Sequence, residues 1–120
     1  MIGPIGIYEQ GHIIELQPGI YTIKALDSWL VRINNFKVRF REVNGDLELT
    51  WKKKKLGAND HAFKRKTKSI GEVHVPKWTK YSIHFENQKS LRVIKMNYGF
   101  FIGLIMDKAI PPEQVQIVLT

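Results

Sequence analysis

Apolar and polar residues alternate on both sides of Asn44 and Gly45 in the stretch FKVRFREV-NG-DLELTWKK, residues 36–53, and a period of two is the signature of β-strands. Asn-Gly is the favoured pair for a two-residue type I′ turn, in which both central residues take positive φ. Such a turn pairs Val43 with Asp46, Phe40 with Leu49 and Val38 with Trp51. One register then places Phe36, Val38, Phe40, Leu47, Leu49 and Trp51 on one face. The opposite face carries Lys37, Arg39, Arg41, Glu48, Thr50 and Lys52. A slip of one residue would invert both faces, so the pattern specifies the register. Glu42 is the exception, and its place beside the turn suggests that it reaches water.

The same period recurs along the chain, and helical periodicity is hard to find. Short strands are predicted over 13–16, 20–26, 29–33, 70–75, 79–85, 91–96, 98–106 and 115–119, in addition to the hairpin. Pro18 with Gly19, Asp27 with Ser28, Asn34 with Asn35, Pro76 to Trp78, residues 86–90 and Pro111 with Pro112 separate them. Two segments echo one another: GHIIELQPGIYTI and GEVHVPKWTKYSI both run Gly, strand, Pro, Tyr-(Thr/Ser)-Ile. We read this as a recurring strand–corner–strand device rather than a duplication. About eight to ten short strands with regular turn signals predict an all-β antiparallel sandwich, jelly-roll-like, with a small closed barrel as the alternative. The expected organisation is an apolar Gly/Pro arm over 1–10 and a single β-sandwich domain over 11–120. A chain of 120 residues is long enough to bury a core without staples.

The chain has no cysteine, which excludes disulfides and thiolate metal sites. No stretch approaches the ~20 apolar residues of a membrane-spanning helix. The first residues, MIGPIGIYEQG, have neither a basic start nor the apolar run of a signal peptide. The expectation is a soluble protein, cytoplasmic or within a virion or other assembly.

Charge is concentrated. Residues 52–68, KKKKLGANDHAFKRKTK, hold eight Lys or Arg against one acid, Asp60, and so carry all but one unit of the net charge of +8. A local positive field attracts an anionic partner. Residues 52–69 are read as one long basic loop, with Gly57, Asn59 and Asp60 allowing its tip to turn. The predicted polyanion contacts are Lys52, Lys53, Lys54, Lys55, Phe63, Lys64, Arg65, Lys66 and Lys68, with Lys37, Arg39 and Arg41 widening the footprint. Phosphate neutralisation with an interleaved aromatic suits nucleic acid. An anionic surface or an acidic protein has the same charge requirement.

Other features point elsewhere. Residues 100–106, FFIGLIM, read as a strand buried on both faces or as a subunit contact through Phe101 and Ile105. In the arm, Ile2, Ile5 and Ile7 are candidate oligomer contacts. Trp51 and Trp29 are expected in the core, and Trp78 as a half-buried plug at the Pro76 corner. His12, His61, His74 and His84 show no metal-ligand spacing, and no nucleophile elbow or phosphate-cradling glycine loop is present. In the simplest hairpin register His74 and His84 share a polar face with Glu72 and Ser82. No catalytic residue, metal or cofactor is expected. The sequence therefore reads as a non-enzymatic module that engages a polyanion, nucleic acid before others. The alternative is an oligomeric assembly subunit, of virion or phage type, built through the arm and the apolar strand.

Overall fold

Alternating sequence becomes strand almost throughout, and the strands are sorted into sheets by corners at proline and at Trp51. The computed structural model describes residues 2–26, 30–53, 59–62, 65–94 and 112–120, without the side chains of 30, 59–62, 65–66, 94 and 112. In chain order the strands are β1 (Ile2–Gly6), β2 (His12–Leu16), β3 (Gly19–Leu26), β4 (Leu30–Arg32), β5 (Lys37–Glu42), β6 (Glu48–Thr50), β7 (Lys52–Lys53), β8 (Asn59–Ala62), β9 (Arg65–Val75), β10 (Thr79–Glu86), β11 (Arg92–Ile94) and β12 (Gln116–Leu119). One sheet, A, has the order β1-β12-β3-β9-β7, with β8 also on β9; a second, B, has the order β2-β10-β5-β6; β11 pairs with β4. All pairings are antiparallel. The sheets stay open and face each other in a sandwich-like arrangement, rather than closing into a barrel. Their inner faces share one core, to which sheet A gives Ile5, Ile23, Ile70, Val73 and Ile117, and sheet B gives Leu16, Val38, Phe40, Tyr81 and Ile83.

The two echoing segments form the frame. β2 lies in sheet B and β3 in sheet A, while β9 lies in sheet A and β10 in sheet B. β2 pairs with β10 (Leu16 opposite Thr79) and β3 with β9 (Gly19 opposite Val75), so the two segments make one ribbon that bends from sheet to sheet. Pro18 and Pro76 stand at the bend, where a missing N–H costs no ladder bond. Each segment then ties its own corner with its tyrosine. The Gln17 N–H donates to the Tyr21 hydroxyl at 3.0 Å, and the Tyr81 hydroxyl donates to the Lys77 carbonyl at 2.9 Å. This is the reason for the shared Tyr in the echo.

A second crossing completes the frame. Trp51 N–H still bonds Val38 of sheet B at 3.2 Å, yet Lys52 next to it pairs with Glu72 of sheet A. The indole packs over Gly71, where a Cβ would lie 2.7 Å from Trp51 Cζ3 and 2.8 Å from the Lys52 carbonyl oxygen. Phe36 meets the Trp51 ring edge-on at 5.6 Å and stacks on Phe85 at 6.0 Å.

Several expectations are corrected. The hairpin register holds, with Phe40 opposite Leu49, but neither Asn44 nor Gly45 has positive φ, so the turn is not type I′. The innermost backbone bond runs from Glu42 N–H to Leu47 at 2.8 Å, leaving a four-residue loop. Val43 is drawn off to bond Lys80 on the neighbouring strand. Glu42 does not reach water: it is 6% exposed and ion-pairs with Lys77 at 2.7 Å. The segment read as an arm is β1, an edge strand against β12, and Ile5 and Ile7 are wholly buried in the chain's own core. Of the segment read as a basic loop, residues 52–53, 59–62 and 65–69 are strand, because β9 continues its ladder well past Ile70. β9 and β10 do not form a hairpin, so His74 and His84 lie on different sheets. Trp78 is 63% exposed rather than a plug. Twelve strands are formed among the described residues, more than the eight to ten expected, since the basic segment adds its own. Trp29 and the strand expected over 98–106 lie outside the described residues.

Two predictions follow from the frame. Gly71→Ala forces the Trp51 ring and the β7 backbone to move, and is expected to cost about 1–3 kcal/mol in denaturant unfolding, the range of overpacked cores. The second concerns alkaline pH. Burial first, and then the Glu42 carboxylate, raise the Tyr81 hydroxyl above its ordinary value of 10.0. The hydrogen bond to Glu42, followed by its Coulomb attraction, raises the Lys77 ammonium above 10.5. Both groups favour their protonated forms in the folded state. Their contribution is complete below the unfolded values and is lost as pH rises through the folded ones. The melting temperature of Tyr81→Phe is expected to fall less steeply than that of the native protein above about pH 10. Parallel curves would show that this hydroxyl does not titrate on unfolding.

Candidate functional site

The basic residues are gathered by β9. Thr67 and Lys68 pair with β3 on one side and with β8 on the other; Gly71 and Glu72 pair with β3 and with β7 in the same way. β7 and β8 therefore lie in tandem along the open edge of β9. Lys52 and Lys53 stand opposite Glu72 and Gly71, while Lys66 and Lys68 stand opposite His61 and Asn59. Arg65 and Lys66 extend beyond the last β3 pairing, that of Leu26 with Thr67, so the hairpin tip continues past the body of sheet A. Lys52 and Lys53 thus share one sheet edge with Arg65, Lys66 and Lys68. Lys52 and Lys53 are exposed and Lys68 is half-buried. Lys53 Nζ donates to the Asn34 carbonyl at 2.7 Å. Lys54, Lys55, Phe63 and Lys64 lie outside the described residues, as do Phe101 and Ile105.

Lys37, Arg39 and Arg41 belong to a different surface, the outer face of sheet B. There they alternate with Glu48, Glu86 and Lys80, and Ser82 and His84 lie beside them on β10. Arg39 is already matched: Nη1 bonds Glu86 Oε1 at 2.6 Å, and Nη2 bonds Glu48. These two carboxylates, by hydrogen bond and then by charge, raise the guanidinium further above its ordinary value. His84 Nε2 lies 2.9 Å from Ser82 Oγ, and with Arg39, Arg41 and the two glutamates it lines a shallow depression of about 330 Å³. Both carboxylates bond Arg39, so the sequence-based extension of the polyanion footprint to Arg39 meets a side chain that is already matched. His74 stands apart on β9, 3.5 Å from Glu72. Among the described residues no three His, Cys, Asp or Glu side chains are grouped to hold a metal ion, and no helix is long and apolar enough to cross a membrane.

Sequence reasoning passed over one polar cluster. Lys37 pairs with Glu86, so the turn before β5 and the turn after β10 meet at one end of sheet B. Their asparagines cross-link them: Asn34 Nδ2 donates to the Ser90 carbonyl at 2.8 Å, and Asn87 Nδ2 to the Asn35 carbonyl at 3.0 Å. Both Asn34 and Asn87 take positive φ, 50° and 57°, which asparagine tolerates better than most residues. Tyr8 is held beside them. The Gln10 side chain imitates a strand, donating to the Phe85 carbonyl at 2.9 Å and accepting from its N–H at 3.0 Å. The cavity between these segments measures about 430 Å³ and is lined by Tyr8, Asn35, Asn87, Gln88, Lys89 and Ser90. The sequence signal was faint, being two asparagine-bearing turns that nothing local relates.

No protein-family model matches the chain, and neither a curated protein nor a solved structure matches it.

The sheet B face offers a direct check. The double variant Glu48→Gln, Glu86→Gln releases Arg39 and removes two negative charges. It is expected to elute from a heparin column at higher salt than the native protein. Unchanged elution would mean that the polyanion does not meet this face.

Proposed function

We propose that the protein is a non-enzymatic β-sandwich module that engages a polyanion, nucleic acid before others, through the β7–β8–β9 edge. The observation that carries this reading is the tandem pairing of β7 and β8 on one side of β9. It brings Lys52 and Lys53 to one open sheet edge with Arg65, Lys66 and Lys68. Charges spaced along an antiparallel ribbon sit at regular intervals, which suits a ligand whose charges also repeat. The exposed lysines of β7 supply positive charge without an obvious reaction to perform. The bent ribbon of β2–β3 with β9–β10 supports a jelly-roll reading of the topology. The alternative of an assembly subunit is weakened at its arm, because Ile5 and Ile7 are used within the chain.

Fluorescence anisotropy with a labelled single-stranded oligonucleotide, read across a salt series, tests the proposal. Native protein is expected to give a log–log salt slope of about −3 to −4, the release expected for roughly four to six phosphate contacts on a single strand. The variant Lys52→Gln, Lys66→Gln, Lys68→Gln is expected to reduce that slope by about 2 to 3, close to one per lysine. Absence of binding at low salt would overturn the reading.

A further inference from the structure

The cavity between Tyr8, Asn35 and the Asn87–Ser90 segment has no part in the ribbon's charge interaction, yet it is built more firmly than a surface irregularity. Its walls come from three separate segments, each held by a specific bond. Asn34 and Asn87 cross-link two of them reciprocally, and Gln10 fixes the third to Phe85. Phe36, directly after Asn35, anchors the first turn in the aromatic core, and its N–H closes the turn on Ile33 at 3.0 Å. Walls fixed before a ligand arrives reduce the entropy lost on binding. The depression they frame is open to solvent, with a volume of about 430 Å³.

The lining says what chemistry would fit. Tyr8 is 40% exposed and brings an aromatic ring to the lining. The side-chain amides of Asn35 and Gln88 make no hydrogen bond among the described residues, and each presents a donor beside an acceptor. That pairing matches the edge of a nucleobase, which also offers donors and acceptors side by side. The described lining has no carboxylate, and Lys89 stands there exposed. Lys53 of the basic ribbon reaches this end of the molecule, bonding the carbonyl of Asn34 next to Asn35. Lys89 thus lines the depression with one aromatic and two free amides, and Lys53 is bonded at the residue next to Asn35.

We propose that this cavity receives one unpaired nucleotide of a single-stranded nucleic acid, with its base on Tyr8 and its edge read by Asn35 and Gln88. Lys53 and Lys89 would meet the adjoining phosphates. The inference rests on the polyanion reading for the path of the strand, but the cavity makes its own demand. A base held in a pocket must leave its stack, so single strands bind here and duplexes do not. The ribbon alone has no such preference. A neutral saccharide would use the aromatic and the amides but leave both lysines without a purpose.

The test has a part that needs no polymer. Adenosine and uridine 5′-monophosphates are titrated into ¹⁵N-labelled full-length protein, with inorganic phosphate and maltose as controls. The side-chain amide signals of Asn35, Asn87 and Gln88 are expected to shift with a nucleotide and not with either control. No shift with nucleotide, or the same shift with phosphate or maltose, overturns the proposal. In the polymer arm, Tyr8→Ala and Gln88→Ala are each expected to weaken single-strand binding about tenfold, with the salt slope unchanged. Tyr8→Phe retains the ring and is expected to bind within about twofold of native. Melting curves check that each variant folds. If nucleotides shift the cavity but the ribbon variant leaves the salt slope intact, the cavity stands and the ribbon reading falls. If the ribbon variant lowers the slope while Tyr8→Ala and Gln88→Ala bind like native protein, the ribbon stands and the cavity proposal falls.

Discussion

Everything in this fold depends on keeping backbone hydrogen bonds satisfied through a bend. β2–β3 and β9–β10 pair up to Leu16 opposite Thr79 and again from Gly19 opposite Val75, so the ladder is interrupted where it passes from one sheet into the other. A sharp turn separates N–H and C=O groups from their partners, and an unsatisfied buried group costs about 1–3 kcal/mol. Proline takes positions where no N–H is required. Tyr21 and Tyr81 then provide a hydroxyl to a backbone group four residues upstream, one as acceptor and one as donor. With the corner secured, the two sheets face each other and their inward residues have a core to fill.

The remaining strands attach to this ribbon from either side. β12 and β1 extend sheet A beyond β3, and β5 and β6 extend sheet B beyond β10. The chain then returns to sheet A at Trp51, whose indole fills the space that Gly71 leaves open. Packing at this crossing decides where the positive charge goes. Because β7 begins one residue after Trp51, Lys52 and Lys53 are committed to the β9 edge rather than to the face of Arg39 and Arg41. Sheet B's outer face is left with Arg39 bonded to Glu48 and Glu86, and sheet A's edge with the ribbon.

The sequence determined the strands and, at the hairpin, their register. Phe40 faces Leu49 because any slip would bury lysine and expose phenylalanine, and that penalty is written into the alternation itself. The echo of the two Gly-strand-Pro-Tyr segments was legible for the same reason: corner chemistry is local, and its residues lie within a few positions of one another. The position of the positive charge was legible as composition. Its conformation was not, since lysine and arginine tolerate strand and loop alike and the ladder that orders them is contributed by β9.

Tertiary structure alone decided the rest. Beside the turn, whose Asn44 and Gly45 lack positive φ, Val43 N–H bonds the Lys80 carbonyl, a contact between segments far apart in sequence. Glu42 is buried because Lys77 arrives from the ribbon corner to neutralise it. Ile5 and Ile7 are core residues because β12, from the far end of the chain, supplies the strand on which β1 docks. The cavity is the fullest example. Tyr8, Asn35 and Gln88 carry no common pattern, and they meet because Lys37 pairs with Glu86 and Gln10 with Phe85. Local sequence fixes what each residue prefers within a few positions. Which distant backbone it pairs with is settled by the cooperative packing of both sheets around one core.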